Sequence, residues 1–247
     1  MVLEDLLDKF QFKQLRRDTL IEFLFLDLDD TILDFHKAER IAIAKTLRTF
    51  GLEPTEEILA RYHVINKWHW EQLELGRLTR QQVLVKRFEA LFADQGIQVD
   101  PAAVQAVYEK NLSTGHYFLP GAEEAVAALS KKYRLFLASN GTAVVQKGRM
   151  TSANLYRFFE KSFVSEEVGH NKPSREYFAA AFAQIPGFDP ARAIMVGDSL
   201  TSDIKGGINA GIKTCWVNPS HAPGREDIRP DYEIESISQL ERLLEAL

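Results

Sequence analysis

Apolar residues in this chain gather in short, nearly unbroken runs rather than alternating with polar ones. The runs fall at residues 23–26, 134–138, 163–165, 193–196 and 213–217, with a weaker one at 232–234. A strand whose two faces are both covered has no polar face to display, so such runs predict the strands of a parallel sheet. From the second run onward, segments of helical period separate them, near 121–130, 142–153, 174–184 and 199–210. Strand alternating with helix predicts βαβ units and a doubly wound, Rossmann-like α/β core.

The rhythm breaks between the first two strands. Residues 36–117 hold no strand pattern and read as about four helices. One spans 38–50 and stops at Gly51, a C′ glycine. A second runs through 55–75. A third opens at Thr79, where Thr79 and Gln82 have capping-box spacing. A fourth begins at Asp100-Pro101, an N-cap acid followed by proline at the first helical position. Some eighty residues are too many for a simple crossover. The expected organisation is therefore a core of residues 1–35 and 118–247, with 1–20 as an extension, and an inserted helical-bundle cap at 36–117. In the extension Leu3, Leu6, Leu7 and Phe10 recur at helical spacing, which predicts a short amphipathic helix packed on the body or on a second subunit.

Composition narrows the function. The 247 residues carry a net charge of −5, with 45% hydrophobic and 26% charged residues. No nucleic-acid polymer is the expected partner, since such binders carry a basic face. The apolar stretches are too short to span a bilayer, and the first residues make a poor secretory signal. A cytoplasmic protein without a membrane partner is expected. Cys215 is the only cysteine, so neither a disulfide nor a cysteine zinc cluster can form within the chain. Within an apolar run it reads as a buried, inert thiol.

The candidate chemistry sits where the strands end. Asp27-Leu28-Asp29-Asp30-Thr31 closes the first run. Carboxylates crowded at a strand tip repel one another and are costly to bury; a hard divalent cation such as Mg²⁺ is the simplest remedy. Thr31 is expected to fix the turn through its hydroxyl. Ser139-Asn140-Gly141 follows the second strand, Lys172 lies in a loop before a helix, and Gly197-Asp198 follows the fourth strand, with Asp203 five residues on. Ligands of doubly wound sheets bind beyond the carboxyl ends of the strands, where all four segments converge.

In this order the four segments resemble the motifs of the haloacid dehalogenase (HAD) superfamily, and the helical insert resembles its helical type of cap. The resemblance implies roles. Asp27 is the nucleophile that becomes an aspartyl phosphate, and Asp29 is the general acid and then base. Mg²⁺ is held by Asp27, the backbone carbonyl of Asp29, and Asp198. Ser139 and the Asn140 N–H hold phosphate oxygens, Lys172 neutralises charge and orients Asp27, and Asp203 supports the metal's water shell or Lys172. An acid at position 29 sets the chain apart from the dehalogenases and from P-type ATPases.

A finer resemblance rests on Val64-Ile65-Asn66-Lys67-Trp68, Leu75-Gly76-Arg77-Leu78-Thr79, Ser165-Glu166-Glu167-Val168-Gly169 and the stretch 202–211 with Cys215-Trp216. These phrases are similar to noncanonical pyrimidine nucleotidases. The implied partner is a small phosphorylated metabolite, a nucleoside monophosphate first, and the implied assembly is a monomer or homodimer. A phosphatase or phosphomutase acting on a sugar phosphate or phosphoglycolate is the alternative; a non-catalytic binding protein is disfavoured by the intact acid set. In the insert, Trp68 and Trp70 are candidates to stack on a base, against core packing for at least one of them. Asn66, Lys67 and Arg77 are candidates for polar contacts, against solvated surface. His63 and His69 lack metal-ligand spacing and read as packed or solvated, and His170 reads as a surface loop histidine. Gly206, Gly207 and Gly211 read as close helix packing and a helix stop.

Overall fold

The computed structural model describes residues 20–247, so the amphipathic segment expected at Leu3 to Phe10 lies outside the described residues. Strand β1 (Phe23–Leu26) is followed by four consecutive helices, α1 (Phe35–Thr49), α2 (Glu56–Glu74), α3 (Arg80–Gln95) and α4 (Pro101–Leu112). The chain then runs through α5 (Ala122–Leu129), β2 (Arg134–Ser139), α6 (Ala143–Ser152), β3 (Lys161–Val164), α7 (Ser165–Val168), α8 (Arg175–Phe182) and β4 (Ala193–Gly197). It closes with α9 (Lys205–Ala210), β5 (Lys213–Val217), β6 (Tyr232–Ile234) and α10 (Leu240–Glu245).

The six strands form one sheet in the order β3-β2-β1-β4-β5-β6, with every pairing parallel. Phe25 lies between Phe136 and Met195 in register. After β1 the chain builds outward through β2 and β3, then crosses back to β4 on the other side. The switch of direction therefore falls at β1, where ligands of such sheets collect. Alternation along the strands sends Leu24, Leu26, Leu135, Leu137, Ile194 and Val196 to one face, under Val126 and Leu129 of α5 and Met150 of α6. Phe23, Phe25, Phe136, Ala138 and Met195 go to the other, under Tyr177, Phe178 and Ala181 of α8. Both faces are sealed, which is why the strands read as continuous apolar runs.

The four inserted helices pack around a core of their own. Ala42, Ile43 and Leu47 of α1 meet Tyr62 and Ile65 of α2, Phe88 and Leu91 of α3, and Val104 and Tyr108 of α4. Their starts follow the polar signals. Asp34 accepts from Lys37 N (2.8 Å) and opens α1 three residues earlier than expected. Thr79 and Gln82 form the full capping box, and Asp100 caps α4 with Pro101 behind it. Each cap contributes about 1 kcal/mol.

Two elements differ from expectation. The strand expected at 163–165 lies at Lys161–Val164, and Ser165 instead opens α7. As an edge strand, β3 begins exposed at Lys161, so its first residues carry no apolar signal. The helix expected at 199–210 begins with a π-helical turn, Leu200–Ile204, before α9. Asp203 N and Ile204 N both bond to Ser199 O (2.9 and 3.1 Å). The wide turn brings Asp203 round to the strand tips, and such turns recur at functional sites. Gly206 lies against Phe178 and Gly207 against Thr214 and Met195, with Gly211 (φ +72°) as the stop. No described helix is long and apolar enough to cross a membrane.

Candidate active site

The site is built on the tip of β1. Asp27 N bonds to Val196 O (2.9 Å), extending the β1–β4 pairing by one residue and fixing the Asp27 backbone. The chain then reverses tightly. Asp30 adopts φ +53°, a left-handed conformation that Asp tolerates better than most residues, and its Oδ1 accepts from Phe35 N (2.9 Å). Asp30 N also bonds to Leu33 O (2.8 Å). The turn is therefore fixed by Asp30 and the backbone. Thr31, expected to do this through its hydroxyl, is buried and its Oγ1 makes no hydrogen bond; it serves as a small core residue.

Lys172 is the hub. Its ammonium, fully buried, donates to Asp27 Oδ1 (2.7 Å), Asp203 Oδ1 (2.6 Å) and the Ala138 carbonyl (2.6 Å). Burial alone would pull this ammonium down, yet Asp203 and Asp27 hold it above the ordinary lysine range. Burial pushes Asp27 up to about 8; Lys172 opposes this, while Asp203 and Asp29 add to it. Asp198 is held well above its ordinary value by burial, then by Asp203 and Asp27. Gly197 is required here, because a Cβ would sit 2.1 Å from Asp203 Oδ2.

One carboxylate oxygen from each of Asp27, Asp198 and Asp203 lies within 4.8 Å of the others. An all-oxygen, acid-rich donor set suits Mg²⁺. Asp203 is already committed to Lys172 and to Ser199 N (3.1 Å), which leaves Asp27 and Asp198 as the side chains to hold an ion. The Asp29 carboxylate is bonded instead by Gln146 and Arg149.

The loop after β2 carries the phosphate candidates. Ser139 Oγ accepts from Gly141 N (3.1 Å) and Gln146 Nε2 (2.8 Å). The Asn140 side chain braces the lysine loop: Oδ1 accepts from Lys172 N (2.8 Å) and Nδ2 donates to Lys172 O (2.9 Å). Its backbone N–H, not its amide, is thus the group available to phosphate.

Four residues that meet the site loops escaped sequence reasoning. Gln146 Nε2 donates to Asp29 Oδ2 (2.7 Å), and the fully buried Arg149 pairs through Nη1 with Asp29 Oδ1. Their i, i+3 spacing places both on one face of α6, but nothing in the sequence names the acid they meet. Arg80, at the start of α3, donates to the carbonyls of Asn140 (2.8 Å) and Gly141 (2.6 Å), to Ser165 Oγ (2.5 Å) and to Asn171 Oδ1 (2.7 Å). Glu74, at the end of α2, accepts from Thr201 Oγ1 (2.7 Å), and burial pushes it up to about 7. Arg80 and Glu74 tie the inserted helices to the strand-tip loops. Arg80→Ala is expected to lower kcat/KM by roughly 10- to 100-fold, because the clamp on the loop after β2 is lost; steady-state phosphate release measures it.

A cavity of about 470 Å³ lies between these parts, with Asp27, Asp198 and Lys172 on one side and Asn66, Trp70 and Arg87 of α2 and α3 on the other. Acids outnumber bases along it, nine to four. Trp70 and Lys67 therefore face the cavity, whereas Trp68 is exposed and Arg77 bonds Gln72. Asn66 is buried between Glu39 Oε1 (2.6 Å) and Arg87 Nη1 (2.7 Å). His69 is a satisfied buried histidine on the Ile65 carbonyl (2.8 Å). His63 does meet a carboxylate, Glu39 (2.6 Å), supplied by another helix and so invisible to spacing within α2. His170 is exposed. Cys215 is buried, which pushes its thiol up to about 12.

The raised acids set a pH dependence. Asp27 and Glu74 bind protons more tightly folded than unfolded between their ordinary range and about 8 and about 7 respectively. Stability without divalent metal is then greatest at low pH within this window and is lost as pH rises through these values. Thermal unfolding is expected to show a larger stabilisation by Mg²⁺ at about pH 8 than at about pH 6.

A carboxylate-rich crevice lies at the tips of a parallel sheet, beneath the helices that follow β1, an arrangement that fits an enzyme of the hydrolase class. A family model for haloacid dehalogenase-like hydrolases matches residues 21–211. The chain belongs to that family. The HAD-hydrolase YfnB of Bacillus subtilis is 38% identical over 90% of this chain and 94% of its own. A crystal structure of YfnB bound to magnesium, which reveals interdomain movement, superposes with a TM-score of 0.87 at 37% identity, over 91% of this chain and 99% of that one. The pyrimidine 5′-nucleotidase PynA of Streptococcus pneumoniae is 35% identical over 89% of this chain and 93% of its own. The pyrimidine 5′-nucleotidase YjjG of Escherichia coli is 31% identical over 90% and 97%.

Proposed function

We propose that the protein is a magnesium-dependent phosphomonoesterase that works through an aspartyl phosphate on Asp27 and acts on pyrimidine nucleoside 5′-monophosphates. The observation that carries the chemistry is the Lys172 ammonium held 2.7 Å from Asp27 and 2.6 Å from Asp203 beneath an acid-rich cavity. A strand-tip carboxylate needs a fixed cation to face an anionic substrate, and Lys172 orients one Asp27 oxygen while leaving the other for attack. Ser139 Oγ and the Asn140 N–H receive phosphate oxygens. Asp29 gives a proton to the departing ester oxygen and later takes one from water. A Mg²⁺ ion held by Asp27, Asp198 and the Asp29 carbonyl would neutralise charge on the transferring phosphoryl.

We propose residues 36–117 as the cap that shapes the substrate end of the cavity. Its volume lies within the range of small-molecule sites, and Trp70 gives it an aromatic wall on which a base can stack. The names of PynA and YjjG support a nucleotide over a sugar phosphate. Incubation with Mg²⁺ and a panel of pyrimidine and purine monophosphates, sugar phosphates and phosphoglycolate tests this. Free phosphate is expected first from pyrimidine nucleotides; none from any nucleotide, or phosphate passed to a second metabolite, would contradict it.

A further inference from the structure

Arg149 is spent on a position where an apolar residue would pack at lower cost. Its guanidinium is fully buried and its Nη2 makes no hydrogen bond, an arrangement that costs stability rather than adding it. What the guanidinium does touch is specific. Nη1 pairs with Asp29 Oδ1, Nε donates to the Gly115 carbonyl (2.9 Å), and Nη1 lies 3.3 Å from Gln146 Oε1. Gln146 Nε2 takes the second oxygen, Asp29 Oδ2, and also the Ser139 hydroxyl. The guanidinium face rests on the Phe35 ring, 5.6 Å from its centroid. Helix α6 can lie this close to the segment leaving α4 because residue 148 is glycine: a Cβ there would stand 2.6 Å from the Ser113 carbonyl oxygen.

Both oxygens of Asp29 are thus held by donors, one of them charged, and the donors are themselves fixed. The carboxylate is therefore fixed in direction rather than free to rotate, as a group that must meet one water molecule in one orientation requires. We propose that Arg149, with Gln146, is a positioning residue for the second half of the reaction, holding Asp29 as the oriented base that activates water against the phosphorylated Asp27. This rests on the aspartyl-phosphate reading above. In that step the water oxygen bonds to phosphorus and a water proton passes to Asp29. The Asp27 oxygen–phosphorus bond breaks, its electron pair returning to the Asp27 carboxylate, and inorganic phosphate leaves. The first half depends less on Arg149 when the leaving group is p-nitrophenolate, a stable anion that departs without a proton from Asp29, whereas water attack in the second half still needs the oriented base.

Rapid-quench kinetics with p-nitrophenyl phosphate and Mg²⁺ separates the halves. Release of p-nitrophenol reports formation of the phosphoenzyme, and the mass of the quenched protein reports its decay. For Arg149→Met, decay is expected to fall on the order of 10²-fold, the scale of general-base assistance, while formation falls far less, so phosphorylated protein accumulates above the wild-type level. Arg149→Lys keeps the charge but cannot reach Asp29 and Gly115 together; it should slow decay selectively by a smaller factor, and it carries the same test should Arg149→Met fail to fold. Equal losses in formation and decay, or an unchanged decay, would overturn the role of Arg149. If the unsubstituted protein released p-nitrophenol without ever carrying phosphate, the covalent reading itself would fall, and this proposal with it.

Discussion

Asp27→Asn is expected to lower turnover by roughly 10⁴-fold or more, the scale on which removal of a covalent nucleophile acts, while the protein stays folded. A carboxamide oxygen is a far weaker nucleophile and cannot carry phosphate as the carboxylate does. The substitution is nearly isosteric, and burial already opposes the Asp27 charge. A neutral amide therefore sheds a desolvation cost, and Lys172 keeps Asp203 and the Ala138 carbonyl. Metal-free thermal stability should be unchanged or slightly higher. Phosphate release and thermal unfolding check the two halves of this expectation; turnover within tenfold of the wild type would remove Asp27 from the role of nucleophile.

Lys172→Met is expected to fail in both stability and activity. It removes the one buried cation that Asp27 and Asp203 share and leaves two buried carboxylates facing Asp198. Breaking a buried ion pair from one side costs about 3–5 kcal/mol. The deficit should grow as pH rises, because Asp27 then ionises without its partner, and Mg²⁺ should restore part of it. Denaturant unfolding at two pH values measures the deficit. Turnover should be lost even where the protein is folded, since an anionic substrate would meet unscreened acids. A loss below about 1 kcal/mol would mean that solvent reaches the pair and screens it.

Much of the core was legible because its strands are buried on both faces. Runs such as Phe23–Leu26 and Lys213–Val217 coincide with the observed strands, and loops at the carboxyl ends follow once the sheet is parallel. The meeting of Asp27, Lys172 and Asp203 was legible for the same reason. What escaped depends on partners distant in the chain. Arg149 reaches Asp29 across 120 positions and Arg80 reaches Asn171 across 91; either arginine alone reads as a solvated helix residue. The start of edge strand β3 escaped because Lys161 faces solvent, and the π turn at Leu200–Ile204 because no spacing marks it. Thr31 was given a hydrogen bond that its buried hydroxyl does not make, and the neighbouring Asp30, by adopting a left-handed conformation, does that work.

The central claim is that Asp27 transiently carries the phosphorus of the substrate. The direct measurement is to quench the Mg²⁺-loaded protein during turnover of a nucleoside monophosphate, reduce it with borohydride and sequence the peptides by mass spectrometry. An acyl phosphate is reduced to an alcohol, so the expected result is homoserine in place of Asp27 and at no other acid. Asp27 recovered unreduced, with phosphate released at the full rate and no adduct at any stage of the time course, would contradict it.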